Sequence, residues 1–153
     1  MASNFTDKLK SLEGVTDFEC IVSSPVPEDE GVQGYNGKFK FRDLIMTYQQ
    51  IVSANLTMNM LNVSFVYPTS KKQQKLKLLE TLNSFNESRP AIKASLKNNS
   101  DKGFSVNFSM EFICPDEIIN LSVVDSVVRV LSSSGSLLKG TFGRHGITLA
   151  LKK

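Results

Sequence analysis

The 153-residue chain contains no tryptophan, one histidine, two cysteines and five prolines. Its sole imidazole, His145, sits in a Gly143-Arg144-His145-Gly146 stretch that reads as a solvated turn. No His/Cys/carboxylate set accompanies it at metal-ligand spacing, which argues against zinc. Cys20 and Cys114 both fall at apolar-patterned positions. They could form one disulfide; buried free thiols are the simpler reading. Either would serve as a nucleophile only with a base in reach, and one imidazole is all the chain offers. No run of 18 apolar residues exists, so no membrane-spanning helix is expected. Asp7, Lys8, Lys10 and Glu13 crowd the start and leave no room for an apolar signal region. A cytoplasmic address is the expectation that follows.

What the chain does have is a 41% hydrophobic share, enough for the core of one ordinary domain over 1–153. The formal charge of +3 is unevenly spread. Residues 1–37 hold two bases against seven acids, or −5, and residues 38–153 hold sixteen against eight, or +8. Such asymmetry suits either an anionic partner or two oppositely charged parts lying together.

The clearest pattern runs from Pro68 to Phe112. Ser70 and Gln73 are spaced as a capping box. Leu76, Leu79, Leu82 and Phe85 then read as the buried stripe of a helix that Pro90 ends. Ile92, Ala94 and Leu96, and after a turn at 98–103 Phe104, Val106, Phe108, Met110 and Phe112, alternate with polar residues as a half-buried hairpin. Upstream, Asn4 reads as the cap of a short helix closed by Gly14, and Phe18, Cys20 and Val22 mark a first strand. Residues 25–37, with Pro25, Pro27 and three acids, read as a mobile acidic loop. Residues 38–52 fit either strand or helix; the reading taken is one strand with a bulge near Asp43, paired with a long strand over Leu56 to Tyr67. Pro115-Asp116-Glu117 opens a last helix along Ile118, Leu121, Val124, Val127, Val128 and Leu131, which Ser132 to Gly135 terminates. Residues 136–153 form a tail, a weak hairpin or a docking segment. The expected fold class is α+β: a single antiparallel sheet of about five strands with helices on one face.

Candidate sites are few. Gly31 to Gly37 lacks the G-x-x-x-x-G-K-[ST] pattern of a phosphate loop and reads as ordinary loop glycine. Asp116 and Glu117 are explained by the first turn of a helix rather than by acid–base chemistry. Lys71, Lys72, Lys75 and Lys77 form a basic cluster that could meet nucleic acid or another anionic surface. No aromatic is interleaved for stacking, which favours a solvated flank. Glu80 is a partner for Lys77 at helical spacing, and Leu76, between the lysines, points inward in this reading. Met46, Met58 and Met60 fall within one expected hairpin and would form a peptide- or subunit-binding surface if their face is uncovered.

The element order helix, three strands, helix, two strands, helix resembles that of type III secretion chaperones and of the YbjN family. The run Leu82-Asn83-Ser84-Phe85-Asn86-Glu87, followed by Ile92 to Leu96 and by Val106, Phe108, Met110 and Phe112, is similar to the helix-strand-strand centre of YbjN-type sequences. The resemblance implies a non-enzymatic, dimer-forming, protein-binding domain with no catalytic residues, no metal and no cofactor. The expectation is therefore a chaperone-like module, homodimeric, with a protein or peptide as partner rather than nucleic acid or membrane.

Overall fold

A computed structural model describes residues 3–23 and 31–151. Six strands form one antiparallel sheet in the order β1-β2-β3-β4-β6-β5. They are β1 (Val15–Ser23), β2 (Gln33–Phe41), β3 (Leu44–Val52), β4 (Thr57–Pro68), β5 (Lys93–Ser100) and β6 (Gly103–Cys114). The helices are α1 (Asn4–Ser11), α2 (Lys75–Ser88) and α3 (Leu121–Lys139), with single 3-10 turns at Asp116–Ile118 and Phe142–His145. The α+β class holds, with six strands where about five were expected.

The sixth strand comes from the ambiguous segment. Arg42 and Asp43 are not a bulge but a two-residue turn, with Arg42 in the left-handed region (φ 56°) and Phe41 facing Leu44 across it. The expected loop at 33–37 is the first half of β2. Gly37 admits this, because a Cβ there would stand 1.9 Å from the Glu19 carbonyl oxygen. The rest of the expected acidic loop, residues 25–30, lies outside the described residues apart from its end at Gly31.

The chain divides into two compact units, and β4, β6 and α3 are shared out between them. The first comprises 1–63 and 110–132. Phe39, Met46, Tyr48, Leu61 and Val63 are buried on one face of its strands. Phe5 of α1 meets the Tyr48 and Phe112 rings edge-on at 6.1 and 5.8 Å. Val124, Val127, Val128 and Leu131 of α3 are buried as the apolar period requires. The second unit comprises 64–109 and 133–153. Phe85 of α2 packs edge-on against Phe108 of β6 at 5.7 Å, and Tyr67, Phe104 and Phe142 form a ring cluster.

Several local expectations need correction. Ser3, not Asn4, caps α1: its Oγ accepts from the Thr6 N–H at 3.1 Å. The Ser70–Gln73 capping box does not form. Asn99 Nδ2 donates to the Gln73 carbonyl at 2.9 Å, the stretch before Lys75 stays non-helical, and α2 starts only at Lys75. Its buried stripe is Leu78, Leu82 and Phe85, while Leu76 is 69% exposed. A strict i+3 series drifts by about 60° per step on a helix of 3.6 residues per turn, so Leu76 ends on the side opposite Phe85. Lys77 donates to the Gly146 carbonyl at 2.7 Å rather than reaching Glu80. Residues Ser132 to Gly135 do not end α3, which runs on to Lys139. Tyr67 donates its hydroxyl to the Gly135 carbonyl at 2.8 Å, and Leu138 is fully buried, so packing carries the helix past its serines. The tail is thus helix to Lys139 and a 3-10 turn, not a hairpin; Ala150 N–H donates to the Pro68 carbonyl. By length and composition α3 could cross a bilayer. Its Asp125–Arg129 ion pair at 2.8 Å and its buried valines make it an amphipathic helix.

Candidate functional site

Strand alternation in the first unit sends one set of side chains to the helices and leaves the other uncovered. The register fixes which is which. Met46 faces Val63, Tyr48 faces Leu61 and Gln50 faces Asn59, and all six are buried. Gln49 faces Met60 and Ile51 faces Met58 on the opposite surface, where Met58 is 53% exposed. The three methionines expected to share a binding face are therefore split. Met58 and Met60 lie on the open face, while Met46 is fully buried in the core. The two-residue turn at Arg42-Asp43 sets this phase: it places Met46 opposite Phe39.

Around Met58 and Met60 lies an open cleft of about 620 Å³. Asn36, Gln49, Ile51, Glu111 and Ile113 complete its wall. Gly34 pairs with Ile51 and brings no side chain to that row. Ile21, Ile45, Ile51 and Ile113, each at least half-exposed or nearly so, extend the apolar surface. Each of these side chains is already about half buried, so covering the rest of one would release on the order of 1 kcal/mol. In the second unit the corresponding strand surface is mostly polar, with Ser105 and Asn107 of β6 and Lys93, Ser95 and Lys97 of β5, and Val66 of β4, 74% exposed, is its apolar member.

Beneath the helices is a buried polar network. Gln50, 1% exposed, donates through Nε2 to Asn59 Oδ1 at 2.8 Å and to Asp116 Oδ1 at 3.1 Å. Asn59 Nδ2 donates to Thr57 Oγ1, which donates to the Cys114 carbonyl. The Asp116 carboxylate accepts the Asn4 N–H at 2.8 Å and the Phe5 N–H at 3.4 Å. A carboxylate thus sits at the positive end of α1, delivered from the far end of the sequence. Asp116 was read as opening the last helix; instead it ties α1 to β3. Tyr35 stands nearby, its phenol pushed up by burial and then by Cys20 and Asp116. Gln50 Oε1 has no hydrogen-bond partner. The network orients the α1 and β3 backbones and presents no nucleophile.

Both cysteines are free thiols. Cys20 is exposed on β1, contrary to the buried position expected of it, because β1 is the last strand of the sheet. Among the described residues, no three His, Cys, Asp or Glu side chains come together at a metal-binding distance. Lys71, Lys72 and Lys75 are all exposed. Lys72 and Lys75 line a cleft of about 400 Å³ in the second unit together with Lys97, Asn98 and Asn99.

The sequence reading missed Ile51, Ile113, Gln49 and Glu111 of the open cleft. For Gln49 and Ile51 the signal is period-two alternation through Leu44 to Val52, once Arg42-Asp43 is taken as a turn; for Glu111 and Ile113 it is the continued alternation of β6 past Met110. No protein-family model, no curated protein and no solved structure matches the chain.

Proposed function

We propose that the chain is a non-enzymatic, chaperone-like binding module that takes an apolar segment of another polypeptide onto the open sheet face of its first unit. One observation carries the reading: large apolar side chains at Ile45, Ile51, Met58 and Ile113 stand 49–62% exposed among the described residues, on the sheet face opposite the buried core of that unit. Surfaces of this kind mark docking sites more often than chance. Methionine at the cleft suits it to sequences of varied shape. Asn36, Gln49 and Glu111 at the wall add polar contacts at the side of an apolar strip. The resemblance of residues 82–112 to the centre of YbjN-type sequences supports binding over catalysis; four strands rather than three precede α2.

The strand edges favour the face as the docking surface. At β1 the register breaks between Thr16 and Glu19, with Asp17 in the left-handed region (φ 51°). At β5 the exposed side chains include Lys93 and Lys97. Bulges and lysines are the devices that discourage strand addition.

Peptides selected from a random library displayed on phage against the wild-type protein provide the test. Ile51→Glu with Met58→Glu should weaken the selected apolar peptides at least tenfold in fluorescence anisotropy. Unchanged affinity, or a library yielding no binder, removes the reading. The competing occupant is a second copy. A dimer in light scattering at micromolar concentration that the double variant turns into a monomer would assign the face to self-association.

A further inference from the structure

The charges sort by unit slightly more sharply than along the sequence. The first unit holds six of the eighteen bases and twelve of the fifteen acids, a formal −6. The second holds the other twelve bases and three acids, Glu80, Glu87 and Asp101, a formal +9. Each ion pair between described residues lies in the first unit: Lys38–Glu19, Lys40–Asp17 and Arg129–Asp125. Among the described residues, no cation of the second unit has a carboxylate partner.

Apolar side chains stand among those cations. Leu76 and Leu79 are 69% and 37% exposed, three residues apart on α2. Lys72 and Lys75 flank them and lead into the cleft that Lys97 closes. The first turn of α2 holds no acid, and its cap residue Gln74 makes no side-chain cap bond. A helix start is ordinarily met by negative charge; here the charges nearest in sequence, Lys71, Lys72, Lys75 and Lys77, are positive.

We infer that the second unit docks an acidic, leucine-bearing segment of a protein partner on the outward face of α2. Carboxylates of the segment would meet Lys72, Lys75 and Lys97, and its apolar side chains would cover Leu76 and Leu79. Nucleic acid is the other polyanion that this charge could attract. It has no use for exposed leucines, and the sequence of this unit holds ten lysines but only two arginines, Arg89 and Arg144. This site goes beyond the sheet-face reading and does not depend on it.

The probes are a fluorescein-labelled 16-residue peptide of alternating Glu-Glu-Leu pattern, poly-L-glutamate of equal charge, and a 16-base-pair DNA duplex, each titrated into the full-length protein by anisotropy at 50 and 300 mM NaCl. Expected is a Kd for the Glu-Leu peptide at least tenfold below that of poly-L-glutamate and of the duplex. Leu76→Ser with Leu79→Ser, at exposed positions, should erase that advantage, and Lys72→Glu with Lys75→Glu should weaken all three probes and flatten their salt dependence. Duplex binding as tight as the peptide's, a peptide affinity indifferent to the two leucines, or no binding of any probe at 50 mM NaCl each overturns the inference. The Ile51→Glu, Met58→Glu protein should bind the acidic peptide like the wild type, which separates a failure here from a failure of the sheet-face reading.

Discussion

At the scale of single residues, Asp116 is the group on which most local order converges. It accepts two backbone N–H groups of α1 and the Gln50 amide, which is almost wholly out of water. Loss of the helix cap together with an unpaired buried donor should make Asp116→Ala cost about 2–4 kcal/mol, read as a lowered urea midpoint at unchanged slope. A change below about 1 kcal/mol would show that water replaces the carboxylate freely. The phenols give a second residue-scale prediction. Burial pushes Tyr48 and Tyr67 well above the ordinary tyrosine range, and Tyr35 is raised as well. A folded-state pKa above the unfolded value of about 10 leaves stability intact below that pH and removes it as pH rises further, because the unfolded chain then holds fewer protons. Phenolate absorbance at 295 nm should therefore rise together with the loss of near-ultraviolet dichroism above pH 10. Phenolate formed while the dichroism persists would contradict the burial.

At the scale of elements, the reading from sequence succeeded where one period dominated and failed where a local signal met a tertiary one. Ile92, Ala94, Phe104, Val106 and Phe108 alternate without interruption, and all are buried as their spacing requires. In α3, three serines and a glycine outweighed an apolar stripe in the sequence reading, yet Leu138 and the Tyr67 hydroxyl hold the helix together through them. The two-residue turn at Arg42-Asp43 carries no glycine or asparagine, so nothing local announced it. The open cleft was half legible: Met58 and Met60 were found, Ile51 depended on a strand phase that the turn sets, and Ile113 lies one residue past the stripe read for β6. Gly135 makes the competition measurable. Alanine there should gain about 1 kcal/mol of helix propensity. Its Cβ would lie 2.6 Å from the Phe65 ring. Overpacking of that kind costs roughly 1–3 kcal/mol, so Gly135→Ala should be net destabilising. Thermal unfolding that shifts upward instead would mean that the ring moves aside.

For the whole molecule, surface and stability separate. The Ile51→Glu, Met58→Glu protein changes only exposed positions, and surface substitutions typically stay within about 0.5 kcal/mol each. Its melting temperature should stay within a few degrees of the wild type while peptide binding is lost. A collapse of the melt would place these side chains inside the packed structure rather than on a docking face. The same separation holds for Lys72 and Lys75, whose replacement touches the charge of the second unit and none of its ring cluster.

The kinked β1 rim and the lysines along β5 have a further consequence for behaviour at high concentration. A sheet with exposed isoleucines is at risk of templated stacking into fibrils, which grows strand by strand from unpaired backbone. Here the two places where a new strand would begin are a distorted stretch and a row of repelling ammonium groups. Concentrated solutions should accordingly cloud through reversible, disordered clustering and give no thioflavin-positive amyloid, even where greasy surface drives the molecules together.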